Sequence, residues 1–95
     1  MSVTVKFVGA LRCVAGKSAM KIKCSTNFSV KELIQKILLD IPEIKTVIID
    51  QQADGIIKNT ALILVNDREI NVLNGLDTLL TNEDEVVFIP VAHGG

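Results

Sequence analysis

Tryptophan and tyrosine are absent from the 95 residues, and three phenylalanines are the only aromatics. Any core must therefore be assembled from Ile, Leu and Val. Single-stranded nucleic acid finds no stacking platform, because Phe7, Phe28 and Phe88 all fall at positions that periodicity assigns to packing. The single histidine, His93, excludes a His-based metal cluster. Two cysteines, Cys13 and Cys24, are too few and too widely separated for a metal knuckle or a C-x-x-C redox motif, so both are expected as reduced thiols. Neither charge sign is in excess. Ten basic and eleven acidic residues leave a net charge of -1, and the longest like-charge run is Glu83-Asp84-Glu85, which argues against a nucleic-acid partner. Apolar runs such as residues 61–65 are too short to span a membrane, and the opening residues alternate instead of forming a charged segment followed by an apolar one. A cytoplasmic location is the expectation.

What is present is apolar matter: 48% of the residues are hydrophobic, enough for one globular core and no second domain. Val3, Val5 and Phe7 alternate with Thr4 and Lys6, the period of a strand with one buried face. After a break at residues 13–18, Met20, Ile22 and Cys24 alternate with Lys21 and Lys23, and the two segments read as a β-hairpin. Ser29 followed by Glu32 is a capping box, with Phe28 placed to pack on Leu33 as a hydrophobic staple. A helix therefore starts at Val30, and Val30, Leu33, Ile34, Ile37, Leu38 and Ile41 make its apolar stripe until Pro42 ends it. Weaker helical spacing over residues 43–51 predicts a short second helix, followed by a turn at Asp54-Gly55. A buried strand is expected at 61–66, a turn at Asn66-Asp67, a short returning strand at 69–72, a helical turn at 76–80 and a last strand at 85–91.

That order has one economical arrangement: an α+β fold in which the helix covers one face of a single mixed sheet, a β-grasp or ubiquitin-like roll. The first and last strands would lie side by side and parallel, joined by a long crossover. The last strand is then central, and residues 1–91 form the domain from which a tail of residues 92–95 projects.

Catalytic patterns fail one by one. Ala15-Gly16-Lys17-Ser18 resembles the end of a phosphate-binding loop, but Leu11 stands where G-x-x-x-x-G-K-[ST] requires its first glycine, and a strand follows where a helix must begin. A Cys-His nucleophile would need His93 to fold back onto the sheet. The acidic residues are scattered over turns and outer faces. The chain is expected to be acted on by enzymes and not to be one.

The C-terminus is the exception. At a glycine frequency of about 7%, a chain ends in Gly-Gly by chance roughly once in two hundred cases. Pro90 cannot donate to a sheet ladder, so pairing should stop there and release the residues beyond it. Extended, they would reach on the order of 15 Å. Gly94 and Gly95 place no β-carbon near the terminal carboxylate, so the tail Ala92-His93-Gly94-Gly95 can thread a narrow channel and leave its carbonyl open to attack. An ionised carboxylate is inert to nucleophiles and must first be activated, for example as an acyl-adenylate.

Phe7 with Leu11-Arg12 and Ala15-Gly16, then Leu64-Val65-Asn66, then Asp84-Glu85-Val86 before Ile89-Pro90 and Gly94-Gly95, resemble the β-grasp sulfur-carrier family. That family includes the ubiquitin-related modifier, the small archaeal modifiers, the thiamine-pathway carrier and the small subunit of molybdopterin synthase. The resemblance covers the whole chain and is weakest over residues 41–60. It implies that Gly95 is adenylated and thiocarboxylated by a ubiquitin-activating-type enzyme, with Gly94 as the slender neck. ATP and the sulfur donor would be used by that adenylyltransferase, and no cofactor would be held by this chain. The ending His93-Gly94-Gly95 is more like the ubiquitin-related modifier, which implies sulfur donation for tRNA thiolation and conjugation to lysines of target proteins. Asn82-Glu83 before Asp84, and Val91 in place of a second proline, depart from the molybdopterin synthase pattern. Pairing with the large subunit of that enzyme in molybdenum-cofactor synthesis stays as the alternative, and a non-covalent ubiquitin-like interaction module as a third reading.

Alternation also predicts a docking surface. If Val3, Val5 and Phe7 face the helix, Val8 points outward, joined by Ile89 near the base of the tail. Arg12 and Pro90 belong to this surface, and Asp84 is a further candidate beside it.

Overall fold

The computed structural model describes residues 1–45, 49–51, 57–59 and 61–90, with side chains described outside the two short segments 49–51 and 57–59. Strand β1 (Ser2–Phe7) buries Val3, Val5 and Phe7. A short helix α1 (Ala10–Ala15) follows and ends at Gly16, whose left-handed φ of 76° lets its N–H reach back to the carbonyl of Arg12 at 3.0 Å. Strand β2 (Ala19–Lys23) then returns antiparallel to β1, with Val5 opposite Met20 and Val3 opposite Ile22. The expected hairpin is therefore present, but its break contains a helix: Leu11, fully buried, anchors α1 to the core. One buried residue in a six-residue helix leaves no period to read.

The two-residue strand β3 (Phe28–Ser29) leads into the main helix α2 (Val30–Asp40). Its capping box forms as the sequence predicts: the Glu32 N–H donates to Ser29 Oγ, and the Ser29 N–H donates to Glu32 Oε1, each at 3.1 Å. Phe28 is half-buried against the core that contains Leu33. Val30, Leu33, Ile34 and Ile37 are buried along one face. Leu39, on the opposite face, is 84% exposed.

Beyond α2 the expectations need correction. Of the predicted helix over 43–51, the described residues show a 3-10 turn at Pro42–Ile44, in which Ile44 is fully buried, and a helical Lys45, while residues 46–48 lie outside the described residues. Ile49–Gln51 is instead a strand, β4, paired antiparallel with β5 (Ile57–Asn59). Ile44, Val47 and Ile48 carry the helical spacing, but it does not continue into Ile49–Gln51, where Ile49 alone is apolar. The Asp54-Gly55 turn lies outside the described residues. Strand β6 (Ala61–Val65) is present as predicted, and Asn66-Asp67 makes a two-residue hairpin with φ of 50° and 70°. The returning strand β7 spans only Arg68–Glu69 before a 3-10 turn at Ile70–Val72, and a second such turn at Gly75–Asp77 leads into β8 (Leu79–Leu80). The last strand, β9, is Glu85–Pro90.

The main sheet has five strands in the order β2-β1-β9-β6-β7. β1 and β9 are parallel, with Thr4 opposite Glu85 and Phe7 opposite Phe88, so the last strand is central. Where a single sheet is expected, two small ladders accompany it, β3 with β8 and β4 with β5. This is the ubiquitin-like β-grasp architecture that the order of elements predicts. Phe88, fully buried, stacks on Phe7 with ring centroids 6.1 Å apart. No helix among the described residues is long and apolar enough to cross a membrane.

One polar cluster closes the end of the sheet where β9 begins. Asp84, 8% exposed, accepts hydrogen bonds from Asn66 Nδ2 at 2.8 Å, Thr81 Oγ1 at 2.9 Å and the Thr81 N–H at 2.7 Å. Burial pushes the pKa of Asp84 up. The three hydrogen bonds outweigh it and hold the carboxyl below its ordinary value of 3.8. Its stabilising contribution is then full above the unfolded-state pKa and fades as pH falls through the lower folded-state value. Asp84→Asn replaces an acceptor by an amide donor facing the Thr81 N–H, and is expected to cost about 1–3 kcal/mol at neutral pH. Urea unfolding at pH 7 and pH 3 checks both points: the difference between variant and parent should shrink at the lower pH.

Candidate functional site

The tail of residues 91–95, with Gly94, Gly95, His93 and Ala92, lies outside the described residues, and so does the expected boundary at 91/92. The base from which it leaves is described in detail. β9 follows β1 in parallel to Phe88, and the Val8 N–H then donates to the Phe88 carbonyl at 3.2 Å, the last main-chain link between these strands. On its other side β9 stays in register with β6 to the end, with Leu62 opposite Ile89 and Ala61 opposite Pro90. Pro90 thus closes the pairing within the strand and on one side first.

Gly9 meets this proline. Its φ of 61° and ψ of -133° lie where only glycine is comfortable, and a β-carbon there would sit 3.5 Å from Pro90 Cγ. The sharp bend at Gly9 turns the chain into α1, whose Arg12 N–H donates to the Gly9 carbonyl at 3.0 Å. Arg12 is exposed on α1, on the chain segment that packs beside the end of β9.

Of the predicted docking residues, Val8 is 43% exposed, Arg12 is exposed, and Ile89 and Pro90 are half-buried. Alternation from the buried Val86 and Phe88 turns Val87 and Ile89 to the outer face, as predicted for Ile89. The structure adds three residues to this face. Leu62, 37% exposed, lies opposite Ile89, and half-buried Leu64 lies opposite half-buried Val87. Reading residues 61–66 as a uniformly buried strand hid Leu62 and Leu64, although the pattern Ala61, Ile63, Val65 inward and Leu62, Leu64 outward is a period of two. Lys6 and Glu85 border the stripe as an ion pair of 3.0 Å across β1 and β9.

Asp84 does not flank this surface. It sits before the opposite end of β9, and its carboxylate is fully engaged by Asn66 and Thr81. Beside it lies an open depression of about 480 Å³ lined by Val65, Arg68, Leu73, Thr78 and Leu79 among others. Among the described residues no three His, Cys, Asp or Glu side chains gather as metal ligands. Cys13 is exposed and Cys24 half-buried, both free thiols.

A sequence model of the family described as "Urm1 (Ubiquitin related modifier)" matches residues 2–95. Solved structures agree on the fold. The small archaeal modifier protein 1 from Methanosarcina acetivorans superposes with a TM-score of 0.84 at 28% identity, over 99% of this chain and 96% of that one. Urm1 from Trypanosoma brucei gives 0.76 at 24% identity, over 99% and 95% of the two chains. A chain of the Amycolatopsis orientalis BexX/CysO complex gives 0.75 at 23% identity, over 98% and 99%.

Proposed function

The chain belongs to the ubiquitin related modifier family, and from that membership we propose that it is a sulfur carrier whose working group is the Gly95 carboxylate. The observation that carries this reading is the extent of the family match, which runs through the Gly-Gly end. The carboxylate attacks the α-phosphate of ATP in a ubiquitin-activating-type adenylyltransferase and pyrophosphate leaves. A sulfide-equivalent donor then displaces AMP from the acyl-adenylate, giving a thiocarboxylate. ATP and the sulfur donor are substrates of that enzyme; this chain holds no cofactor of its own.

The thiocarboxylate sulfur is passed on for tRNA thiolation, and the activated carbonyl can instead be captured by a lysine Nζ of a target protein as an isopeptide bond. A slender Gly94-Gly95 end admits both outcomes, because neither residue carries a side chain to obstruct the carbonyl. The stripe of Val8, Leu62 and Ile89, with Arg12 beside it, is the surface on which the activating enzyme docks, since it lies at the base of the tail. The molybdopterin synthase alternative is not better supported, because the chain-wide match is to the ubiquitin related modifier model.

Intact mass spectrometry of protein isolated from its native, sulfur-replete cells under thiol protection tests the reading. The expected result is a fraction shifted by about +16 Da, oxygen replaced by sulfur at the terminal carboxyl. Gly-Gly remnants on lysines of other proteins would show the modifier role. A free carboxylate throughout, with no adducts, would make the non-covalent module the better account.

A further inference from the structure

Among the described residues β2 is an edge of the main sheet, paired only with β1. The outward direction of its main chain follows from the register. The Met1 ammonium donates to the Cys24 carbonyl at 3.0 Å, the Cys24 N–H returns to the Met1 carbonyl at 2.8 Å, and the Phe7 N–H donates to the Ser18 carbonyl at 2.9 Å. In an antiparallel ladder such pairs recur at every second residue, so Ser18, Met20, Ile22 and Cys24 turn their polar groups toward β1. Ala19, Lys21 and Lys23 therefore present theirs to the open side. The Lys36 ammonium, reaching across from α2, already donates to the Lys23 carbonyl and shows that this edge accepts hydrogen bonds from outside the sheet.

The side chains of the same stretch divide by face. Lys21 and Lys23 are exposed on the outer face. Met20, Cys24 and Phe28 are half-buried, packed on the core but open along the margin between β2 and the start of α2, where Lys36 lies 6.0 Å from the Phe28 ring. The charge carried by β2 and the turn before it has one sign. No acidic residue precedes Glu32 in the chain, whereas Lys6, Arg12, Lys17, Lys21, Lys23 and Lys31 do, and Glu32 itself is tied into the helix cap. Among the described residues Lys17, Lys21 and Lys23 have no carboxylate partner. A net charge of -1 conceals this asymmetry.

We propose that the open edge of β2 docks an extended segment of a partner protein, adding it as a sixth strand, in which short apolar residues are flanked by Asp or Glu. Main-chain groups of the segment meet those of Ala19, Lys21 and Lys23. Its apolar side chains lie on the Met20, Cys24 and Phe28 margin, and its carboxylates face Lys21, Lys23 and the ammonium of Lys36 as that group swings off the Lys23 carbonyl. The lysines also make the site selective, because a second copy of this edge would bring lysine against lysine. A partner of opposite charge is attracted where the chain itself is repelled. The tail and its chemistry play no part, so the site stands or falls separately from the sulfur-carrier reading.

The probe is the blocked peptide Asp-Glu-Val-Ile-Val-Ile-Asp-Glu, titrated into the isotopically labelled full chain and followed by amide chemical shifts. Saturable shifts at Ala19, Lys21, Lys23 and Lys36 are expected. Lys21→Glu with Lys23→Glu should weaken binding by roughly tenfold, since each exposed pair contributes modestly. The same peptide with Lys for its acids should bind the reversed variant better than the parent. N-methylation of the central valine, which leaves every charge in place, should abolish binding through loss of main-chain pairing. The proposal is overturned if no saturable shift occurs up to millimolar peptide, if the shifts centre on Val8, Leu62 and Ile89, or if neither charge reversal nor N-methylation weakens the complex.

Discussion

Removing Gly94 and Gly95 should abolish thiocarboxylate formation and lysine conjugation while leaving the unfolding midpoint within about 1 °C of the parent, the size of effect typical of changes outside a core. The buried apolar residues run from Val3 to Phe88, and every one of them survives the truncation. On the proposed sulfur-carrier reading function would be lost because the shortened chain ends in His93: the carboxylate would sit two residues short of its place in the activating enzyme and carry a branched imidazole beside the carbonyl. Pyrophosphate exchange with the cognate activating enzyme, alongside thermal melting, measures the two effects separately. A truncated chain that is still adenylated at the parental rate would remove the tail from the mechanism. A chain that melts far lower would assign the glycines a structural role instead.

The second large effect is expected at Phe88→Ala. Phe88 is fully buried in the central strand, stacked on Phe7, and flanked in the ladder by β1 and β6. Deleting a buried phenyl ring costs about 3–5 kcal/mol through lost transfer energy and the cavity left behind. A domain of this size has only about 5–15 kcal/mol in total. The melting temperature should fall by on the order of 20 °C. Chemical denaturation would show it directly. A cost below about 1 kcal/mol would mean that neighbouring Phe7 and Ile63 collapse into the space, contrary to a close-packed core.

Much of this architecture is legible in the sequence. Strict alternation at Val3, Val5 and Phe7, and the Ser29–Glu32 cap, are local signals whose physics depends on few neighbours, and both elements form where they point. Placing β9 in the centre required only the order of elements and the geometry of a crossover. The misses share a different cause. α1 is too short to display a period. Over residues 43–51 the helical spacing ends at Ile48, and pairing with Ile57–Asn59 makes the last three residues a strand. Residues 69–72 and 76–80 were assigned one element each, where the chain spends two residues on a strand and three on a 3-10 turn. For the site, Val8 and Ile89 were readable from alternation, whereas Leu62 and Leu64 were hidden inside an all-apolar run. Asp84 illustrates a further limit: an acid between two glutamates reads as solvated surface, and only the side chains of Asn66 and Thr81 make it an interior residue.

The parallel pairing of Thr4 with Glu85 has a consequence for how the molecule comes into being. The strand that fills the middle of the sheet is the last one to be synthesised, and until it arrives β1 and β6 have no common neighbour. Contacts between segments so distant in sequence are slow to form, because the loop must close before any pairing rewards it. A chain ended before β9 keeps the β1–β2 and β6–β7 hairpins but has nothing to join them, and it lacks the buried Val86 and Phe88. The complete sheet requires the strand that precedes the Gly-Gly end, so a fully folded molecule is one in which that strand is present.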